Sequence, residues 1–189
     1  MLSPIIYAMI WILGGILQPE YSHIRDDVSS LMAVGAPNKL LFDIMRTIDV
    51  ILMIVFSIGL YLVMKELNAS IIGPVLFLVS NFIGLLVVFF FPLDEGGEIN
   101  TLTGQMHFIL VVIMGFIAMG GMIALWRGLR KIDEWKGYDK YSLIVLILTF
   151  TSSLVLVFTS GTEIMGLTER ISVTLYGQYF FVIALKTYL

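Results

Sequence analysis

Hydrophobic runs of about 20 residues recur along nearly the whole chain and leave few folds open. In lipid, the backbone polar groups of such a run have no partner except their own helix, so helices are the outcome. Six runs follow one another: Pro4 to about Leu17, about Asp43 to Met64, Ile71 to Phe91, Met106 to Trp126, Ser142 to Ser160, and Ile171 to about Lys186. The first lacks a basic lead and a small-residue cleavage site, so it reads as a retained span and not as a signal peptide. The expectation is an all-α, polytopic integral membrane protein: one six-transmembrane-helix bundle over residues 1–189. No internal repeat is visible.

Composition supports a lipid-facing surface. Only 13% of residues are charged and 59% are hydrophobic, whereas a soluble domain carries roughly a quarter charged. The absence of cysteine excludes disulfides, thiolate metal sites and cysteine nucleophiles. One bis-histidine haem would consume both histidines, which argues against a haem bundle. The one basic cluster flanks membrane spans, so nucleic acid is not a partner; membrane lipid is.

Basic residues set the expected orientation. Lys65, Arg127, Arg130, Lys131, Lys136, Lys140 and Lys186 fall on one side, and Arg25, Lys39, Arg46 and Arg170 on the other. The positive-inside rule then puts both termini in the cytoplasm of a multi-pass protein of the cell membrane. Most carboxylates fall on the opposite, outer side.

Polar residues concentrate in three outcrops on that outer side. The first, PEYSHIRDDVSSLMAVGAP from Pro19 to Pro37, is the densest. Val28, Leu31 and Met32 share a helical face there, Ser22 or Asp26 can cap it, and Gly35 with Pro37 can stop it. That predicts a short interfacial helix after helix 1. Asp43, Arg46 and Asp49 follow at three-residue spacing, so Arg46 can pair with either acid. The second outcrop, LDEGGEINTLTGQMH, leads to His107 inside a span; the third, GTEIMGLTER, delivers Glu163, Glu169 and Arg170. An intramembrane imidazole is uncommon, and buried polar groups in membranes tend to be functional.

Together these outcrops predict an outward-facing polar cup. His107 and Asp94 are the candidate acid–base pair, with Ser22 and Asp26 as further catalytic candidates. Tyr21, Arg25, Ser29 and Arg170 are candidate ligand-binding residues, and Asn81 with Gln178 would form a polar floor halfway across. Arg25 and Arg170 can hold a phosphate, because guanidinium binds it bidentately. Interhelical hydrogen bonding is the plainer role for Asn81. Capping is the plainer role for Asp26, Asp27 and Asp94.

The segments PEYSHIRDDVSSLMAVGAP, FPLDEGGEINTLTGQMH and GLTERI resemble the family catalogued as domain of unknown function 998. The resemblance rests on Tyr21, Ser22, Asp26, Ser29, Gly35, Pro37, Phe91, Pro92, Asp94, Gly104, His107, Gly166, Leu167 and Arg170. It implies a six-helix membrane protein and carries no activity.

Three functions remain open on sequence. The cup can bind a lipid or lipid-linked headgroup without chemistry. It can instead be a membrane-embedded hydrolase or transferase acting on lipid at the outer interface, using Asp94 and His107 and a divalent metal. One intramembrane histidine is too few for a typical zinc site, whereas a carboxylate-rich calcium or magnesium site escapes that objection. Transport is the weakest of the three, because neither inverted repeats nor broken spans are present.

Overall fold

A computed structural model describes residues 2–188. Six helices account for most of the chain: α1 Ser3–Leu17, α2 Lys39–Glu66, α3 Ile72–Phe90, α4 Leu102–Leu129, α5 Tyr138–Thr159 and α6 Met165–Tyr188. Short 3-10 turns at Ser29–Met32, Glu95–Gly97 and Asp133–Trp135 interrupt three of the connections. No strand occurs among the described residues.

Local chemistry places the helix ends. Pro4 occupies the first turn of α1, where its missing N–H costs nothing. Asn68 turns left-handed (φ 53°) after α2, and Ala69 N donates back to Met64 O at 2.8 Å, satisfying a terminal carbonyl. The Thr101 hydroxyl accepts from Gly104 N and caps α4.

Each helix packs on its chain neighbours, and α6 returns to α1 and α2, closing the bundle. α2, α3, α4 and α5 are long and apolar enough to cross a membrane. In α5 only 17% of the apolar window is buried within the chain. So much apolar surface left uncovered by protein calls for a lipid surround. α6 is not one of the four: its interior-facing side carries Thr168, Arg170, Ser172 and Tyr179, which are buried by the bundle.

α1 is shorter than a span. Its 15 residues reach about 22 Å, against about 30 Å of bilayer hydrocarbon. The Ser3 hydroxyl donates to Asp49, ten residues into α2, and Pro4 lies against Gly177, twelve residues into α6. α1 therefore packs along roughly half the depth of the bundle.

The expected interfacial helix is not formed. A single 3-10 turn, Ser29–Met32, stands in its place, and its apolar residues point inward. Val28 and Leu31 are fully buried with Ile10 and Phe42. Leu31 seats directly on Gly14, where an added Cβ would lie 2.4 Å from Leu31 Cδ1. The apolar spacing that suggested a membrane-surface face thus belongs to a plug between α1 and α2. A larger core cluster, built on Leu60, Phe77, Met122, Leu125 and Phe180, holds the opposite half together.

Candidate functional site

Three connections, residues 18–38, 91–101 and 160–164, meet at one end, called here the acidic end. Val34 N donates to Leu93 O (2.9 Å), joining the first connection to the second. Gly166 N and Leu167 N donate to Arg25 O and Ile24 O (3.2 and 2.9 Å), joining the first to α6. These are orphan amides of a helix N-terminus, satisfied here by a loop. Contact is tight, because a Cβ on Gly166 would sit 2.3 Å from Asp26 O.

Arg170 holds this junction. It is 7% exposed, and its Nη1 donates to Asp26 O (2.9 Å) and Gly166 O (2.7 Å) while Nη2 donates to the Tyr21 hydroxyl. Its Cζ lies 5.4 Å from the centroid of Tyr21 and 5.8 Å from that of Trp11. All three partner groups on the Arg170 fork are neutral, and among the described residues it forms no ion pair. Its buried Nε has no hydrogen-bond partner. Next along the helix, Glu169 accepts from Val28 N at 2.8 Å, pinning the same loop from a second side.

Several candidate residues serve local turns instead. The Ser22 hydroxyl accepts from Ile24 N and Arg25 N, and Ser22 N donates to Asp26 (2.8 Å), so Ser22 is engaged in holding the turn. Arg25 pairs with Asp26 (2.7 Å) and donates to Glu20 O, and is thereby spent away from Arg170. Burial works against ionisation of Asp26, but hydrogen bonds from Arg25 and Ser22 N outweigh it and hold the carboxyl below its usual range. Burial with the nearby Arg170 charge lowers His23, whose ring packs edge-on against Trp11 and Tyr21.

Asp94 and His107 do not form the expected pair. The Asp94 oxygens accept from Thr101 N and Thr101 Oγ1, both at 2.6 Å, which hold its carboxyl low and fasten the loop onto α4. The physical reason is local: the glycine-bearing turn folds Asp94 back onto the start of the helix. His107 Nδ1 lies 2.7 Å from Phe91 O. A carbonyl only accepts, so Nδ1 carries the proton and Nε2 of the neutral ring is left as the basic nitrogen.

The carboxylate near His107 is Asp27. Burial raises its carboxyl above the usual range, while the Ser30 hydroxyl, hydrogen-bonded to it, and the His107 ring pull it back down. Ser30 lies under the second connection, where a Cβ on Gly97 would come within 2.5 Å of its Oγ. Ser29, the sequence candidate, opens the neighbouring 3-10 turn.

The expected polar floor is absent. Asn81 Nδ2 donates to Ser57 Oγ (3.2 Å), tying α3 to α2. Gln178 is exposed and takes part only through its carbonyl, which accepts from the Tyr141 hydroxyl at 3.4 Å. Arg46, able on spacing to take either acid, pairs with Asp49, and Asp43 pairs with Lys39.

Sequence reasoning missed Tyr7, Trp11, Ser3 and Ser30. The Arg46 guanidinium lies over the Tyr7 ring (5.3 Å), and Trp11 backs Arg170. Their four-residue spacing on α1 was the available signal, since it puts a phenol and an indole on one face of an apolar helix.

Four apolar helices of membrane-crossing length and a packed polar end define a helical membrane protein. The chain belongs to the family described as Protein of unknown function (DUF998), which matches residues 1–186. No curated protein and no solved structure matches it.

Proposed function

We propose that this chain is a six-helix protein of the cell membrane, its basic end cytoplasmic, whose acidic end binds an anionic headgroup of a lipid or lipid-linked molecule. One observation carries the reading: Arg170 is buried, forms no ion pair among the described residues, and has an Nε–H without a hydrogen-bond partner. The Asp26 and Glu169 carboxyls act on it only through space, so an anionic phosphate can add a direct partner of the kind a guanidinium is shaped to take. Trp11, Tyr21 and the exposed His23 supply an aromatic rim beside it. In this reading α6 crosses with its polar stripe turned inward, and α1 enters from the acidic end.

The test is ligand-dependent thermal stabilisation of the detergent-solubilised full chain by short-chain phosphatidic acid, with phosphatidylcholine of equal chain length as comparison. Saturating phosphatidic acid at 100 times its Kd should add about 2.7 kcal/mol. Arg170→Lys, which keeps the charge but loses the planar fork, should weaken binding about tenfold. Equal stabilisation by both lipids would remove the headgroup reading.

A second reading is favoured by one feature. The Ser30 hydroxyl is hydrogen-bonded to Asp27, and the charge of Asp27 acts through space on the His107 imidazole. That set suits acyl or headgroup transfer better than the Asp94–His107 pair. Among the described residues no group of three or more ligands is placed to hold a metal ion, so this version runs without one. Ser30→Ala and His107→Ala should each abolish lipid turnover by the purified protein, and Asp94→Asn should leave it within about threefold of wild type. Turnover that survives both of the first two substitutions would eliminate the enzyme.

A further inference from the structure

At the opposite, basic end a groove of about 970 Å3 opens between the α2–α3 turn and the last turns of α4. Its mouth is lined by Arg127, Arg130 and Lys131, and its lining contains no carboxylate. None of these three cations forms an ion pair among the described residues. The N-terminus of α3 faces the same space through Ser70 and Ile72, where the Ser70 hydroxyl accepts from Ile72 N at 3.4 Å. The helix dipole there adds to the attraction for an anion.

The inner wall is of another kind. Ile72, Leu76 and Ile123 line it, with Ile72 59% and Ile123 39% exposed. Gly73 and Gly121 let α3 and α4 cross closely, since a Cβ on Gly73 would lie 3.0 Å from Gly121 O. Beside that crossing Gly120 leaves the wall bare: a Cβ there would meet only Leu76 Cδ1, at 3.7 Å. A small soluble anion has no use for such a wall, whereas an acyl chain does.

We infer that this groove is a binding site for an anionic phospholipid, with its phosphate among Arg127, Arg130 and Lys131 and an acyl chain against α3 and α4. The pattern of a cationic mouth over an apolar wall matches a lipid in charge and in the order of its polar and apolar parts. Basic residues beside a membrane attract anionic lipid even without any groove. The site adds shape to that attraction, and shape is what the test must isolate.

Native mass spectrometry of the full chain, released from micelles doped with equal phosphatidylglycerol and phosphatidylcholine, reads the preference directly. Wild type should retain phosphatidylglycerol at least tenfold over phosphatidylcholine. R127Q/R130Q/K131Q should lower phosphatidylglycerol retention about tenfold, and what is still retained then belongs to the acidic end. Gly120→Phe, which fills the groove and leaves every charge in place, should reduce phosphatidylglycerol retention about tenfold; Ala124→Phe provides a second filling variant if the first unfolds. Wild-type retention by folded filling variants would show diffuse charge attraction and overturn the site. Displacement by millimolar inorganic phosphate would overturn the lipid assignment.

Discussion

Replacing Arg170 with methionine should detach the 18–38 connection from α6 and make Arg25 a rapid tryptic site. The guanidinium is the shared donor for Tyr21, Asp26 and Gly166, and no neighbouring side chain can substitute for it. Hydrogen bonds from a charged donor are each worth about 1.5–3 kcal/mol, so losing the set should cost about 3 kcal/mol or more. That corresponds to a fall of roughly 6–12 °C in melting temperature for a chain of this size. Arg25 is already 51% exposed, so only the anchoring of its backbone protects it. Trypsin digestion followed by intact-mass analysis checks the result. Cleavage no faster than in wild type would mean that the backbone bonds of Gly166 and Leu167 hold the loop alone.

Asp49→Leu should be the most destabilising single substitution in α2, and adding Arg46→Met should restore most of the loss. Asp49 is 3% exposed, pairs with Arg46 and accepts from the Ser3 hydroxyl at 2.6 Å. Removing one member of a buried pair strands the other charge, at about 3–5 kcal/mol. Replacing both with apolar groups of similar volume is often neutral. A double-mutant cycle by thermal unfolding in detergent isolates that coupling. Additive losses in the cycle would show that Arg46 has another anchor, for which Tyr7 is the candidate.

These two residues show how far the sequence carried. Asp49 stands about a turn inside an apolar run, where lipid contact is too costly, so an interior position and a partner followed from hydropathy alone. Its choice of partner did not follow, because Asp43 and Asp49 are equally spaced about Arg46. Lys39 settles that choice by taking Asp43. Ser3 reaches Asp49 only because α1 is short and packs along half the depth.

The same division runs through the site. Pattern reasoning placed Tyr21, Asp26 and Arg170 together, because three hydrophilic connections at one end of a closed bundle have to share a small area. It paired His107 with Asp94, when Asp94 is consumed by Thr101 seven residues on and the acid whose charge acts on the imidazole is Asp27. Spacing along a loop does not reveal which of two consecutive aspartates turns inward. Gln178 failed for a related reason. Intervals of four put it on a face with Arg170 and Thr174, but α6 turns that part of its surface outward.

Hydropathy thus determined the helices, and the clustering of charge determined which end holds the polar residues. Both are sums along the chain, insensitive to any single contact. Contacts between distant segments decided the rest: Leu31 seated on Gly14, Arg170 on the carbonyl of Asp26, Ser30 on Asp27. Side-chain partners depend on distances of a few ångströms between separately folded elements, and only packing sets those distances.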